Sequence, residues 1–289
     1  MFCPKVEVLE KWGYTFLMKI GLFDSGLGGL TVLFELTKFL PKYDYLYLGD
    51  NARAPYGDRS PQEIYQFTKE GVAWLFSQGA TIVILACNTA SCEALRRIQQ
   101  EWLPQHFPNK RVLGIVIPIA QAVYAKTKGH IGIIGTRATV DSKVYVKEFH
   151  KLNPGLKIIQ VAAPLLVPLL EEGAQKEKLK ETLEIYLSLF QGISLGALVL
   201  GCTHYPLLID EIRAIMGSDV FIPNVGEIVA HAFADYLSRH PEFLPEKSDG
   251  AGEGSQAFFT TGDAELFLRV SKHFFGTSVN AQRVELSRP

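Results

Sequence analysis

The stretch TIVILACNTASCEA, residues 81–94, decides the fold. Its apolar run, Ile82 to Leu85, is mostly β-branched and predicts a buried parallel strand. Cys87 follows at the carboxyl end of that strand, and helix-forming residues begin at Ser91. Ligands bind at this end of the strands in open α/β sheets. Because a helix N-terminus favours negative charge, the pattern also predicts a lowered pKa for the Cys87 thiol.

The same arrangement occurs again at residues 198–204, where the apolar run LVL precedes Gly201, Cys202 and a polar pair. A lone cysteine in such a place is usually a small buried hydrophobe. Two cysteines in matched settings instead indicate one site with two equivalent groups. The first strand and turn, at residues 19–29, are also echoed at residues 130–136. The sequence therefore predicts two duplicated α/β units whose strand ends, with both cysteines, face a shared cleft.

Composition limits the class of protein. The 289 residues suffice for two domains, since about 150 residues per domain is typical. A net charge of -1 gives no electrostatic case for nucleic acid or a membrane surface. The four cysteines are irregularly spaced, which fits a reducing cytosol better than a disulfide framework. No apolar run approaches the roughly 18 residues of a membrane span, and no signal peptide is predicted.

Turn and cap signals place several further elements. The turn DSGLGG, residues 24–29, does not fit the dinucleotide pattern because Thr31 occupies its sixth position. It is better interpreted as a glycine turn whose backbone N–H groups hold an anionic group. The other predicted segments are a capping box at Ser60 and Glu63, a strand over 112–117 ending at Pro118, a helix over 142–152, an apolar loop over 164–173, a short strand over 220–222 and a glycine-rich loop over 247–255.

Seven stretches, taken in order, resemble the glutamate racemases of bacterial cell-wall synthesis. They are GLFDSGLGG (21–29), GDNARAPYG (49–57), ACNTAS (86–91), GTRAT (135–139), VPLLEEG (167–173), GCTHYPLL (201–208) and TTGD (260–263). The resemblance implies an α/β fold of two flavodoxin-like domains, related by a pseudo-two-fold duplication, with the active site in the cleft between them. The family's first domain is completed by its C-terminal segment. The expected domains are therefore residues 18–112 with 226–289 and residues 113–225, after an N-terminal extension over 1–17.

The activity implied by the resemblance is interconversion of L- and D-glutamate without pyridoxal phosphate, another cofactor or a metal. The D-enantiomer goes into peptidoglycan. A cytoplasmic homodimer is expected from the family. Activation by a cell-wall precursor and binding to DNA gyrase, both of which occur in some relatives, stay open for this chain.

The matching motifs assign roles to individual residues. Cys87 and Cys202 are the two proton-transfer residues, with Asp24, His204 and Glu171 as further catalytic candidates. The residues expected to hold the substrate are Asp24, Ser25, Tyr56, Gly57, Asn88, Thr89, Thr139, Thr203 and His204. Cys92 is interpreted as a core residue, and Cys3 lies in the extension.

The chemistry of racemisation requires two acid/base groups, which the two thiols can supply. A proton must leave one face of the α-carbon and another must arrive on the opposite face, so two opposed acid/base groups are required. One thiol must be ionised and the other protonated, and their roles exchange with the enantiomer. Asp24 near Cys87 and His204 near Cys202 are placed to bias these states. Hydroxyls and backbone N–H groups would meet the charge that develops on the carboxylate.

Two alternatives to a glutamate racemase are considered. A sister racemase for aspartate or a hydantoin would share the two-thiol logic, but the combination of ACNTAS, GCTH and APYG favours glutamate. A thiol redox or metal-binding module is disfavoured because the sequence has no C-x-x-C, and Cys87 and Cys202 lack clustered histidines.

Overall fold

The computed structural model describes residues 18–243 and 254–286. The predicted extension over 1–17, with Cys3, and most of the loop predicted over 247–255 lie outside these residues. In chain order the strands are β1 (Lys19–Asp24), β2 (Asp44–Gly49), β3 (Ala80–Leu85), β4 (Arg111–Gly114), β5 (His130–Gly135), β6 (Ile158–Ala162), β7 (Leu195–Gly201), β8 (Gln256–Thr260) and β9 (Gln282–Arg283).

Two parallel sheets follow the same internal order. The larger sheet runs β4-β3-β1-β2-β8-β9, and the smaller runs β6-β5-β7. Each strand lies parallel to its neighbours. In both sheets the first strand of the unit lies between the second and the third, as in doubly wound folds. Cys87 and Cys202 therefore follow equivalent strands, β3 and β7, at the carboxyl edge of each sheet. The predicted α/β fold is confirmed, while the domain boundaries stay a prediction.

The helices connect these strands. They are α1 (Leu30–Phe39), α2 (Pro61–Ser77), α3 (Asn88–Glu93), α4 (Leu95–Arg97), α5 (Leu103–His106), α6 (Val116–Lys126), α7 (Arg137–Ser142), α8 (Val144–Leu152), α9 (Leu166–Glu171), α10 (Lys176–Ser188), α11 (Ile209–Met216), α12 (Val225–Ser238) and α13 (Ala264–Phe275). The predicted capping box is confirmed, because the Ser60 side chain accepts from the Glu63 N–H and Glu63 accepts from the Ser60 N–H. No helix in the two described ranges has both the length and the apolar character that a bilayer crossing demands.

Alternating side chains bury both faces of each sheet. In β3, Ile82 and Ile84 belong to one apolar cluster, while Val83 and Leu85 belong to another on the opposite face. The first of these clusters also contains Ile131 and Ile133 of β5. The two sheets thus share an apolar core, which fixes the carboxyl edge of one relative to that of the other.

Two predictions failed at prolines. The strand expected over 112–117 ends at Gly114, and α6 begins at Val116 with Pro118 in its first turn. The apolar loop expected over 164–173 contains α9, with Pro168 in its first turn. A proline at this place costs no hydrogen bond, since the first N–H groups of a helix have no partner within it. The sequence pattern predicts a stop at each proline, whereas each proline lies in the first turn of a helix.

Two smaller predictions also need correction. The helix expected over 142–152 begins only at Val144, as α8, because Lys143 adopts a left-handed φ of 54° and separates it from α7, which ends at Ser142. The strand expected over 220–222 is reduced to a single bridge between Phe221 and Ala197.

Candidate active site

A small cleft lies where loops from both sheets meet. Its volume is about 20 Å³, which is room for one water molecule. The residues that line it are Ser25, Pro55, Tyr56, Gly57, Cys87, Asn88, Thr89, Thr136, Val167, Glu171, Cys202, Thr203 and His204. This set contains both cysteines and no lysine or arginine. Any anion held among these lining residues must therefore be met by neutral N–H and O–H donors or by a protonated histidine.

Most residues singled out from the sequence line this cleft. Asp24 and Thr139 do not, but each is fully buried and hydrogen-bonded to a residue that does. Sequence reasoning did not select Pro55, Val167 or Thr136 as site residues. The first two are apolar and carry no chemical signal. Thr136, however, occupies the turn position that matches Ser25 in the duplicated unit, and that correspondence was available in the sequence.

Cys87 is held at the start of α3. Its Sγ atom accepts from the Ala90 N–H at 3.5 Å and lies 3.4 Å from the Ser25 hydroxyl. Burial raises the pKa of the thiol to about 12, and the charge of Asp24 acts in the same direction. The Ser25 and Ala90 contacts lower this pKa without reversing the shift. The predicted lowering of the Cys87 pKa is therefore wrong, because desolvation outweighs the helix terminus.

Cys202 is the first member of a chain of three side chains, in which Cys202 and His204 are buried and Glu171 is partly exposed. Its Sγ lies 3.8 Å from His204 Nδ1, and His204 Nε2 lies 3.1 Å from Glu171 Oε1. Burial lowers the pKa of His204, but the contacts with Cys202 and Glu171 outweigh it, so the pKa lies well above 6.5. These contacts therefore favour the protonated imidazole next to the Cys202 sulfur.

Asp24 joins the two sheets beneath the cleft. Its carboxylate accepts from the Gly26 N–H at 3.0 Å and from the Thr203 hydroxyl at 3.2 Å. Burial raises the pKa of Asp24, while the nearby charge of His204 lowers it. The Asp24 carboxyl group thus acts on the charge of Cys87 and lies close to Thr203 and His204, which follow Cys202. It does not line the cleft itself.

Hydroxyl and glycine contacts bring the two halves together. Thr89 Oγ1 lies 2.9 Å from Thr136 Oγ1, which joins a loop of the larger sheet to a loop of the smaller one. A Cβ atom added at Gly57 would lie 2.8 Å from Thr136 Cβ, and one at Gly28 would lie 2.7 Å from the Thr203 carbonyl carbon. Such contacts essentially never occur between real atoms. Glycine is needed at both places because the loops approach so closely.

The loop that carries Tyr56 is supported from behind by Asp50. The buried Asp50 carboxylate accepts from the Tyr56 hydroxyl, from Arg53 Nε at 2.7 Å and from the Thr261 hydroxyl at 2.7 Å. Arg53 also pairs with the buried Glu70. Two of the motifs noted in the sequence, GDNARAPYG and TTGD, therefore meet at one carboxylate and fix one wall of the cleft.

Replacing Ser25 with alanine tests the contact with Cys87. Because the serine hydroxyl lowers the pKa of the thiol, its loss should raise that pKa further and reduce activity roughly tenfold. Turnover of Ser25→Ala and of the wild type, measured across neutral and alkaline pH, tests this. Ser91→Ala is the matched control, since the Ser91 hydroxyl donates to the Leu85 carbonyl instead. Wild-type activity in Ser25→Ala would contradict the role of the contact.

Comparison with known proteins assigns the family. The model of the Asp/Glu/Hydantoin racemase family matches residues 32–230. The chain belongs to the Asp/Glu/Hydantoin racemase family. Its enzymes are isomerases, so the predictions of the family and of an isomerase are confirmed.

Individual relatives cover nearly the whole chain. The glutamate racemase of Dinoroseobacter shibae is 34% identical over 93% of this chain and 99% of its own length. The structure of glutamate racemase isoform RacE1 from Bacillus anthracis is 34% identical, with a TM-score of 0.84 over 94% of this chain and 99% of that one. Glutamate racemase from Francisella tularensis, solved in complex with D-glutamate, is 29% identical, with a TM-score of 0.81 over 93% and 97%.

Proposed function

We propose that this racemase interconverts L- and D-glutamate by acid/base catalysis between Cys87 and Cys202. The observation that carries the proposal is that both thiols line one cleft while following equivalent strands of two different sheets. Two like groups that approach from two halves of a molecule can contact opposite faces of one carbon. Glutamate is proposed as the substrate because the relatives named above are glutamate racemases.

Each turnover moves one proton off the α-carbon and another proton onto it. One cysteine, as the thiolate, takes the proton from the α-carbon, and the electron pair delocalises into the α-carboxylate. The other cysteine, as the thiol, delivers its proton to the opposite face and is left as a thiolate. Turnover of the other enantiomer runs the same steps with the roles exchanged. The catalyst therefore carries one proton on the pair of cysteines in each productive state.

The surroundings of each thiol suit these roles. The protonated His204 stabilises a thiolate at Cys202, and Glu171 holds the imidazole in place. At Cys87 the Ser25 hydroxyl and the Ala90 N–H stabilise the thiolate, whereas burial favours the thiol. Burial therefore favours the thiol form of Cys87 in this closed cleft. Neutral donors, including the hydroxyls of Thr89 and Thr203, are proposed to meet the substrate's carboxylates.

Substrate access requires the cleft to open. A cavity of about 20 Å³ is far too small for glutamate, so the loops at Gly57 and Thr136 must separate before binding. Closure around the substrate then excludes water, which strengthens each electrostatic contact inside the cleft. We also propose that no cofactor or metal is needed, since the two thiols supply both the base and the acid.

The cellular role follows from the same resemblance. We propose that the enzyme supplies D-glutamate for peptidoglycan synthesis and acts as a homodimer in the cytoplasm. The proposed domains are residues 18–112 with 226–289 and residues 113–225, which would place one cysteine in each domain. Analytical ultracentrifugation of the purified protein tests the dimer.

Turnover in heavy water tests the reaction and the substrate together. The enantiomer formed should carry deuterium at the α-carbon, because the delivered proton comes from a thiol that exchanges with solvent. Mass spectrometry of chirally separated product measures this, with glutamate and aspartate supplied in parallel. Faster turnover of aspartate than of glutamate would favour the sister racemase. Product without deuterium would contradict proton transfer from a thiol.

A further inference from the structure

The side chain of Asn88 is buried with half of its amide unused. Asn88 follows Cys87 directly, lines the cleft and is only 2% exposed. Its Oδ1 atom accepts a hydrogen bond from the Tyr145 hydroxyl at 2.6 Å. Its Nδ2 atom is buried and has no hydrogen-bond partner among the described residues. A buried N–H₂ group without an acceptor lowers the stability of the fold, so its presence beside the cleft indicates that a ligand supplies the acceptor.

Tyr145 determines which end of the amide is left free. It lies on α8, beside the smaller sheet, whereas Asn88 begins α3 after the larger sheet, so the hydrogen bond joins the two halves. Tyr145 is fully buried, and burial raises the pKa of its phenol well above 10. The phenol therefore keeps its hydrogen, and in the structure it donates that hydrogen to Asn88 Oδ1. This bond leaves the N–H₂ group of the amide for the cleft.

We propose that Tyr145 is a positioning residue that orients Asn88 so that its N–H₂ group donates to a carboxylate of the substrate. The inference rests on the proposed function, because it requires an anionic amino acid in the cleft. Because no lysine or arginine is among the lining residues, a substrate carboxylate depends on neutral donors for its hydrogen bonds, and the loss of one donor should weaken binding. Tyr145 itself does not line the cleft, so it acts through Asn88 alone.

A double-mutant cycle tests the proposal. Tyr145→Phe should raise the KM for L-glutamate roughly tenfold with a smaller change in kcat, because substrate binding loses an oriented donor. In an Asn88→Ala background the same change should alter KM less than about twofold, since the residue it orients is gone. Equal effects in both backgrounds, or no effect in either, would overturn the positioning role. Tyr45→Phe is the matched control, because it removes a buried tyrosine hydroxyl that donates to the Leu36 and Leu40 carbonyls far from the cleft.

A second variant keeps the test decisive if Tyr145→Phe folds poorly. Asn88→Asp retains an acceptor for the Tyr145 hydroxyl but replaces the N–H₂ group with an anionic oxygen. Its KM should rise more than about tenfold, and a KM equal to that of the wild type would contradict the proposed donor. Wild-type turnover of glutamate is measured first. If that turnover is absent, the proposed function fails, whereas an active wild type with an additive cycle refutes only the role of Tyr145.

Discussion

Replacing either Cys87 or Cys202 with serine is expected to lower kcat by roughly 10²- to 10⁴-fold in both directions, the range of acid/base catalysis. A serine hydroxyl is a far weaker acid than a thiol, so it neither forms the base nor returns the proton at neutral pH. Each direction needs both groups, one as base and one as acid. Loss of either sulfur therefore stops both directions, which distinguishes a two-thiol mechanism from one with a single essential base.

The control for this prediction lies close to the site. Cys92 is also a buried free cysteine, and burial also raises its pKa to about 12. It faces a separate cavity of about 340 Å³ rather than the cleft. Cys92→Ser should therefore retain wild-type rates. Circular dichroism on the three variants monitors the fold. Near-normal turnover by either Cys87→Ser or Cys202→Ser would contradict the two-thiol mechanism.

Replacing His204 with asparagine is the second large perturbation. The protonated imidazole stabilises the Cys202 thiolate, so its loss should lower kcat/KM roughly 10²-fold. The two enantiomers have equal energy in solution, and kcat/KM must therefore fall by the same factor in both directions. The kcat values need not stay equal, because only one direction begins with Cys202 as the base. Polarimetry or coupled assays started from each enantiomer measure both quantities.

The dependence of activity on pH tests whether the protonated form of His204 is the active one. Contacts with Cys202 and Glu171 raise the pKa of His204 well above 6.5, so the imidazolium is lost only as pH rises through that raised value. Glu171→Gln removes one of these contacts and should move the alkaline limb of the wild-type profile to lower pH. His106→Asn, at an exposed histidine whose Nδ1 atom contacts the Trp102 carbonyl, is the control. A profile of Glu171→Gln that superimposes on the wild type would contradict the chain of contacts.

Much of the candidate site was predictable because parallel strands all present their carboxyl ends at the same edge. Cys87 and Cys202 each follow an apolar run, and this alone predicts that both lie at the edge of a sheet. The turn at residues 24–29 and the Thr203-His204 pair follow from the same rule. The family motifs added Tyr56, Gly57 and Glu171, whose strands and loops carry no equally clear local signal.

Other features depend on contacts between distant segments. Local propensity alone predicts that Pro118 and Pro168 end an element, whereas each lies in the first turn of a helix that its neighbours stabilise by packing. The lowered pKa predicted for Cys87 failed for a related reason. A helix terminus is visible in the sequence, whereas complete burial of the sulfur arises only when both halves close over it.

The sequence by itself determined the duplicated α/β units and the two cysteines, because strand periodicity and turn residues are local properties of the chain. Only the tertiary structure decided how Asp24 meets Thr203, how Tyr145 reaches Asn88, and how far burial shifts the pKa of a thiol. The physical reason is that electrostatic free energies depend on which groups lie within a few ångströms after water has been excluded. Those neighbours come from segments that no local pattern connects.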